Sequence, residues 1–527
     1  MAAATPNRRP LVLLLLVVLA AIVLGFLLLR EPSPEAPAPT PEPTAAQPVD
    51  PAEIEAEPDA VVAELLPALQ SLQQVDLDQP PARRNLDLQH WTTEQGTRVY
   101  FMQAEELPML DIQLLFAAGA SRDGELPGLG TMTNAMLNEG TGDQDAGTIA
   151  AGFERLGAQF TNSAHRDMAL AGLRTLSADD KLDAAVALFT QVVARPSFPE
   201  DAFERLRNQL LASLKFRLQR PAALASEAFW ADLYPGHPYG TLPEGQTESL
   251  QAMTPETLRQ FHSQYYTTGN TVIALVGDIN RERAERIAQR LADALPQGPA
   301  APVITDPEPA TSSHRHIEFD GQQTHILVGQ HGISRHDPDY AALYVGNQIL
   351  GGSGFGSRLM QEIRESRGLS YSVSSRLIPM QATGPVMVSM QTRSDQVDQA
   401  LEVIHQSLDA FINEGPTEAE LARTKRQING EFPLSTANNA AIVAQLGMIG
   451  FYGLPLNHLQ LFLDQVQALT VEDIRAAFAR HFDPEQRLVI TVGPAPGIAD
   501  SAPADADNET DLQDQETDAT PTPEPQA

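Results

Sequence analysis

The sequence predicts an α+β protein made of two homologous α/β-sandwich halves behind a single N-terminal transmembrane helix. Three observations lead there. QAMTPETLRQ at Gln251 recurs as QALTVEDIRA at Gln467, and the register holds without gaps to Val276-Gly277 and Val492-Gly493, an offset of 216 residues. An apolar helical face at Leu182, Val186, Phe189 and Val193 returns as Val397, Leu401, Ile404 and Leu408, at an offset of 215. Between these, strand-like and helix-like periodicities alternate irregularly, which favours α+β layers over a doubly wound parallel sheet.

A chain of 527 residues has room for roughly two to four domains. It carries 35 Lys+Arg against 68 Asp+Glu, a formal charge of −33. Such a surface repels phosphate backbones and argues against nucleic acid as a partner. The chain has no cysteine, which excludes disulfides, thiol catalysis and cysteine metal sites.

Taken in order, residues 1–10 hold the basic pair Arg8-Arg9 and are expected in the cytoplasm. Residues 11–29 are 19 consecutive apolar or glycine residues, enough to span a hydrocarbon core, and no small-x-small cleavage site follows them. An uncleaved signal anchor follows, with the remainder in the periplasm or otherwise outside the cytoplasm. Residues 30–84 form a Pro/Ala/Glu-rich spacer with a short helix near Ala60–Leu77. The first half is expected over 85–296, a Pro- and Ala-rich linker over 297–313, the second half over 314–495, and a disordered acidic tail over 496–527.

Within the first half, Thr97–Ala104 and Leu110–Ala117 read as strands, and Gly128–Thr141 as a helix up to the Gly140 stop. A helix from Thr148 carries Ile149, Phe153 and Leu156 on one face. Ala164–Leu173 reads as a strand that includes His165. Ser177-x-x-Asp180 resembles a capping box opening the Leu182 helix, which Pro196 ends. Further helices are expected over Pro199–Leu218 and from Thr254, then a strand over Thr271–Val276. In the second half, Gly351–Ser375 (GGSGFGSRLMQEIRESRGLSYSVSS) reads as a glycine cluster, a helix broken at Gly368, and a strand at Tyr371–Ser374. Arg364 and Tyr371, seven residues apart, are the residue types that suit a polarised carbonyl or oxyanion.

The duplication, its size and two segments resemble the insulinase/pitrilysin-type peptidases, inverzincins whose first half carries a helical H-x-x-E-H motif. AAGASRDGELPGLGTMTNAMLNEGT is similar to their entry into the zinc helix, and GGSGFGSRLMQEIRESRGLSYSV to their substrate-side segment. The resemblance covers about Asn85 to Gly493. It implies that an Arg and a Tyr, here Arg364 and Tyr371, reach the zinc site from the other half. It also places the two zinc histidines on Thr131 and Ala135, and the motif glutamate on Asn134. The distal glutamate ligand belongs upstream of Pro221, where LLASLKFRLQRP contains no acid. A catalytic zinc needs about three protein ligands, so no metal or other cofactor is expected in this chain.

Other histidines offer little. His314-x-His316 with Glu318 puts two imidazoles on one strand face, and His331 and His336 follow, but no third ligand is identifiable. Gly351–Gly356 lacks the G-x-x-x-x-G-K-[ST] of a phosphate loop. No G-x-S-x-G elbow or paired-acid arrangement supports an autonomous hydrolase. The resemblance extends to the Arg/Tyr-bearing, non-zinc chain of heterodimeric bacterial members and of mitochondrial processing peptidase. It implies a subunit that is inactive alone, here carried behind the anchor expected at residues 11–29. A homologous H-x-x-E-H partner would supply zinc for proteolysis of peptides or unfolded segments. The alternative is a non-catalytic peptide-binding or scaffold protein of the cell envelope on the same fold.

Overall fold

The computed structural model describes residues 86–495. The expected leader, transmembrane segment, spacer with its helix, and acidic tail lie outside them. Among the described residues, no helix is long and apolar enough to cross a membrane.

The first half is a six-stranded sheet flanked by helices. Its strands are β1 (Gln89–Thr92), β2 (Arg98–Gln103), β3 (Met109–Phe116), β6 (Gln159–Ala164), β7 (Ala169–Leu176) and β8 (Thr271–Gly277), with a small ribbon of β4 (Gly140–Thr141) and β5 (Gln144–Asp145) outside it. The order is β1-β2-β8-β3-β7-β6, antiparallel except for β2 against β8. Central β8, TVIALVG, is buried at every residue, as an unbroken apolar run between two covered faces must be. The helices are α1 (Leu129–Ala135), α2 (Ala146–Leu156), α3 (Asp179–Ala194), α4 (Glu200–Arg217), α5 (Pro221–Leu233), α6 (Thr247–Ala252), α7 (Pro255–Tyr265) and α8 (Arg281–Ala294). Leu182, Val186 and Phe189 of α3 join Phe101, Ile112 and Leu275 of the sheet in one core.

The second half has a five-stranded sheet: β9 (Ser313–Glu318), β10 (Gln323–His331), β11 (Val373–Leu377), β12 (Pro385–Arg393) and β13 (Leu488–Gly493), ordered β11-β12-β10-β13-β9. Its helices are α9 (Tyr340–Asn347), α10 (Val397–Glu414), α11 (Glu418–Glu431), α12 (Asn439–Tyr452), α13 (His458–Ala468) and α14 (Val471–His481). The sequence repeat is here a structural one. Thr254 caps α7 by accepting the Thr257 N–H, Thr470 caps α14 by accepting the Asp473 N–H, and each helix leads into an internal strand, β8 or β13.

The halves exchange helices. From the second half, α12 lays Ile442, Val443, Leu446 and Ile449 against Tyr100, Leu115 and Val272 of the first sheet. In return, α5 packs Phe229 and Leu233 against Leu327 and Ile490 of the second. Close approach requires Gly450 in α12, because a Cβ there would lie 2.5 Å from Val272 Cγ1 and 2.6 Å from Tyr100. Residues 297–312 form no helix or strand, yet they are pinned: Ile304 is buried beside α5, and Asp306 accepts the Thr383 N–H at 2.8 Å.

The joint is polar at one point. Asp167, 3% exposed, accepts from Tyr239 Oη at 2.6 Å, the Gln381 N–H at 2.7 Å and Tyr452 Oη at 3.1 Å. Tyr239 Oη in turn accepts the Ala382 N–H at 3.0 Å. Burial pushes the Asp167 carboxyl up, while these donors pull it back.

Several expectations need correction. The strand expected over Ala164–Leu173 starts only at Ala169, and residues 159–164 form a separate strand, β6. His165 lies in the turn between them, its N–H donating to Met168 O, rather than on a strand. At this turn Arg166 stacks on Trp230 and donates to Thr241 O, and Asp167 reaches Gln381 and Tyr452 of the second half. The helix expected to run to Gly140 ends at Ala135, where Asn162 Nδ2 donates to the Asn134 carbonyl at 2.6 Å. Ser177 does not open a capping box. Its Oγ donates to Asp278, Ala178 precedes the helix, and Asp179 and Asp180 occupy the first turn, where the helix dipole favours them. The second-half strand begins at Val373, so Tyr371 precedes it.

One buried base makes stability depend on pH. His262 of α7 donates Nε2–H to Val193 O at 2.8 Å, and burial lowers its pKa from 6.5 to about 4 despite that carbonyl. The unfolded chain takes up a proton near 6.5 and the folded chain only near 4, so this stability is complete above pH 6.5 and lost as pH falls towards 4. Going from pH 7 to 4.5, wild type should lose about 2–3 kcal/mol relative to His262→Gln, measured by urea unfolding. Parallel stability curves for the two proteins would refute this.

Candidate functional site

The helix that would carry a zinc motif is short and closed. Asp123 accepts the Gly128 N–H at 2.6 Å and the Gly130 N–H at 2.7 Å, and so caps α1 from outside it. Gly128 is left-handed, with φ 94°. Burial pushes the Asp123 carboxyl up to about 7, against the pull of those two N–H groups. Along α1, the three positions of interest all serve packing or the backbone. Thr131 Oγ1 donates to Pro243 O at 2.6 Å. Asn134, 2% exposed, donates to Leu170 O at 3.0 Å and to Tyr266 Oη at 3.3 Å. Ala135 offers only a methyl group. The end of α4 closes the same corner, where Arg217 pairs with Glu244 at 3.0 Å, one residue beyond Pro243. Thr131, Asn134 and Ala135 do not fit a catalytic metal, because none of the three is an imidazole or a carboxylate.

Arg364 and Tyr371, linked in the sequence only through the family resemblance, lie against each other. Arg364 lies on a π-helical turn, Met360–Glu365, and its guanidinium carbon is 4.4 Å from the centroid of the Tyr371 ring. It also lies 4.7 Å from the ring of Phe355. Both rings are exposed, Tyr371 at 79% and Phe355 at 67%. Among the described residues no carboxylate or carbonyl pairs with Arg364, which is half-buried between two π-systems. Arg358 at the start of the same helix is structural: it holds Glu420 through two 2.7 Å bonds. Burial opposes ionisation of Glu420, but Arg358 and Thr417 hold its carboxyl down to about 2.

The remaining histidines do not assemble. His314 and His316 share the Thr491 hydroxyl at 3.2 and 2.9 Å, as one strand face allows, but Glu318 does not complete a ligand set with them among the described residues. His331, half-buried rather than on the surface, bonds to Leu233 O at 3.0 Å; His336 is exposed. The ligand atoms of Asp337, Asp339 and His481 do converge, yet Arg480 already neutralises Asp339 through bonds of 2.7 and 2.9 Å.

Sequence reasoning missed Phe355 and Asp167. A lone aromatic within GGSGFGS was the available sign of the first. Nothing in the sequence marked the second, because its partners lie 72 and 285 residues away.

Two halves that exchange helices, and a closed helix without ligands at the H-x-x-E-H position, define a two-half metallopeptidase class that lacks its zinc ligands here. The chain belongs to the insulinase peptidase family, M16. Residues 99–242 match the family described as Insulinase (Peptidase family M16), and residues 252–428 match the Peptidase M16 inactive domain. The "Non-peptidase homolog YmxG" of Helicobacter pylori is 28% identical over 393 residues, covering 73% of this chain and 88% of that one. The "Uncharacterized zinc protease YmxG" of Bacillus subtilis is 24% identical over 361 residues, covering 68% and 87%. A peptidase M16 inactive domain from Pseudomonas fluorescens superposes with a TM-score of 0.76 at 48% identity, covering 78% of this chain and 99% of that one. A Helicobacter pylori protease shares the fold, with a TM-score of 0.72 at 19% identity, over 78% of this chain and all of that one.

Proposed function

We propose that this protein is the non-zinc subunit of a heteromeric M16 peptidase and that Arg364 and Tyr371 act on substrate held by the pair. One observation carries the reading. The zinc-helix position is filled by structural groups, whereas Tyr371 is exposed beside a half-buried Arg364 to which no carboxylate or carbonyl is paired among the described residues. The H-x-x-E-H residues of a homologous chain would hold the zinc, which would supply Lewis-acid chemistry to the shared site. From this chain, Arg364 orients the substrate carbonyl and Tyr371 donates its O–H to the developing oxyanion. Edge strand β11 starts two residues after Tyr371, a location suited to adding a substrate peptide as an extra strand. In this reading the apolar run at 11–29 anchors the protein in the cytoplasmic membrane, with both halves on its outer side.

The test combines the full chain with the H-x-x-E-H homologue from the same cell, purified from the membrane fraction. The two should form a complex and cleave a quenched-fluorescence peptide library that neither cleaves alone. Tyr371→Phe should lower kcat about a hundredfold, in line with losing one oxyanion donor, and leave the complex intact on gel filtration. Unchanged turnover in an intact complex would remove Tyr371 from the reaction. A mixture with no activity would favour peptide binding or scaffolding instead.

A further inference from the structure

We infer that Phe355 forms an apolar subsite that selects peptides with an aromatic side chain next to the carbonyl held by Arg364. This rests on the role assigned to Arg364 above. What sets the 67% exposed Phe355 apart is its place against the Arg364 guanidinium beside Tyr371, on a segment of chain that is held firmly. Gly354 turns through the left-handed region at φ 67°. Ser357 closes the turn, its N–H and its Oγ both donating to Gly354 O, at 3.0 and 2.7 Å. Arg423 donates to Gly356 O from α11. At the base, Gly351 sits so close to Ser375 that a Cβ would meet its Oγ at 2.6 Å. These contacts fix the backbone on both sides of Phe355 and hold its ring out towards solvent.

That ring and Tyr371 flank one guanidinium, at 4.7 and 4.4 Å. Such a group binds two things at once: hydrogen-bond acceptors along the edge of the guanidinium, and flat apolar groups against the rings. A peptide carbonyl and the aromatic side chain beside it meet both demands. An acidic side chain is disfavoured by the strongly negative surface at long range, and it gains nothing from the Phe355 ring.

The probes are two fluorescein-labelled nonapeptides, identical except for Phe or Ala at the central position, with binding to the full chain read by fluorescence polarisation. Wild type should bind the Phe peptide about tenfold more tightly. Phe355→Ala should remove that preference and leave affinity for the Ala peptide within about twofold, while Phe355→Leu keeps most of it. Phe355 is exposed, so these variants should fold as wild type. If wild type binds the two peptides equally, the subsite is refuted. If Phe355→Ala weakens both equally, the ring merely props Arg364, and selectivity is again refuted. Arg364→Gln separates this inference from the one beneath it. An equal loss for both peptides supports the carbonyl-holding role. No loss for either, with the Phe355 preference retained, would sink the role of Arg364 while leaving the aromatic subsite standing.

Discussion

Replacing Asp167 by alanine should destabilise the protein by about 3–5 kcal/mol, one of the largest losses expected from any single substitution here. The carboxylate is buried and accepts three hydrogen bonds, from Tyr239, the Gln381 N–H and Tyr452. Alanine leaves all three donors without an acceptor in a place water does not reach, and each orphaned donor costs about 1–3 kcal/mol. Two of the donors belong to the second half, so the damage should be local to the joint. Amide exchange should rise at residues 380–383 and along the end of α12 before it rises in β8. Asp167→Asn should fall between, since one amide oxygen replaces two carboxylate oxygens and its NH2 faces a donor. A urea midpoint for Asp167→Ala within about 1 kcal/mol of wild type, with unchanged exchange at the joint, would show that the network is not what ties the halves together.

The second large effect concerns the lost metal motif. Asn134→Glu should cost at least about 3 kcal/mol, because a carboxylate would replace a donor that now faces the Leu170 carbonyl in a buried setting. For the same reason, rebuilding the motif through Thr131→His, Asn134→Glu and Ala135→His should not recreate a zinc centre. Thr131 is bonded to Pro243 O, and the stretch before Pro221 supplies no acid as a further ligand. Elemental analysis of the purified triple variant should find far less than one zinc per chain, and its unfolding midpoint should be reduced. A stable protein with one tightly held zinc would mean that the site is merely vacant in residue type and still shaped for metal.

Much of the architecture was legible because it is written in local pattern. β8 reads as a strand from its unbroken apolar run, and α7 and α14 read as repeats from their threonine caps and shared apolar faces. Those signals need only neighbours a few residues away, where backbone periodicity and capping chemistry operate. The loss of the zinc ligands was legible for the same reason, since an absent imidazole or carboxylate is visible without any geometry. Errors fell where a residue answers to a distant partner. The turn at His165–Asp167 interrupts a pattern that otherwise reads as one strand, and it does so because Asp167 is satisfied from the other half. Helix α1 ends early where Asn162, on a neighbouring strand, takes the Asn134 carbonyl.

By itself, then, the sequence determined the two α+β halves, their duplication and the missing metal ligands. Only the tertiary structure decided that the halves exchange α5 and α12, that Asp167 bolts the joint, and that Phe355 shares the Arg364 guanidinium. The first two are contacts between segments far apart in the chain, whereas Phe355 and Arg364 are nine residues apart and meet through the turn at Gly354. The free energy of the long-range contacts comes from excluding water at a surface that exists only after folding, and no local pattern encodes where that surface will lie.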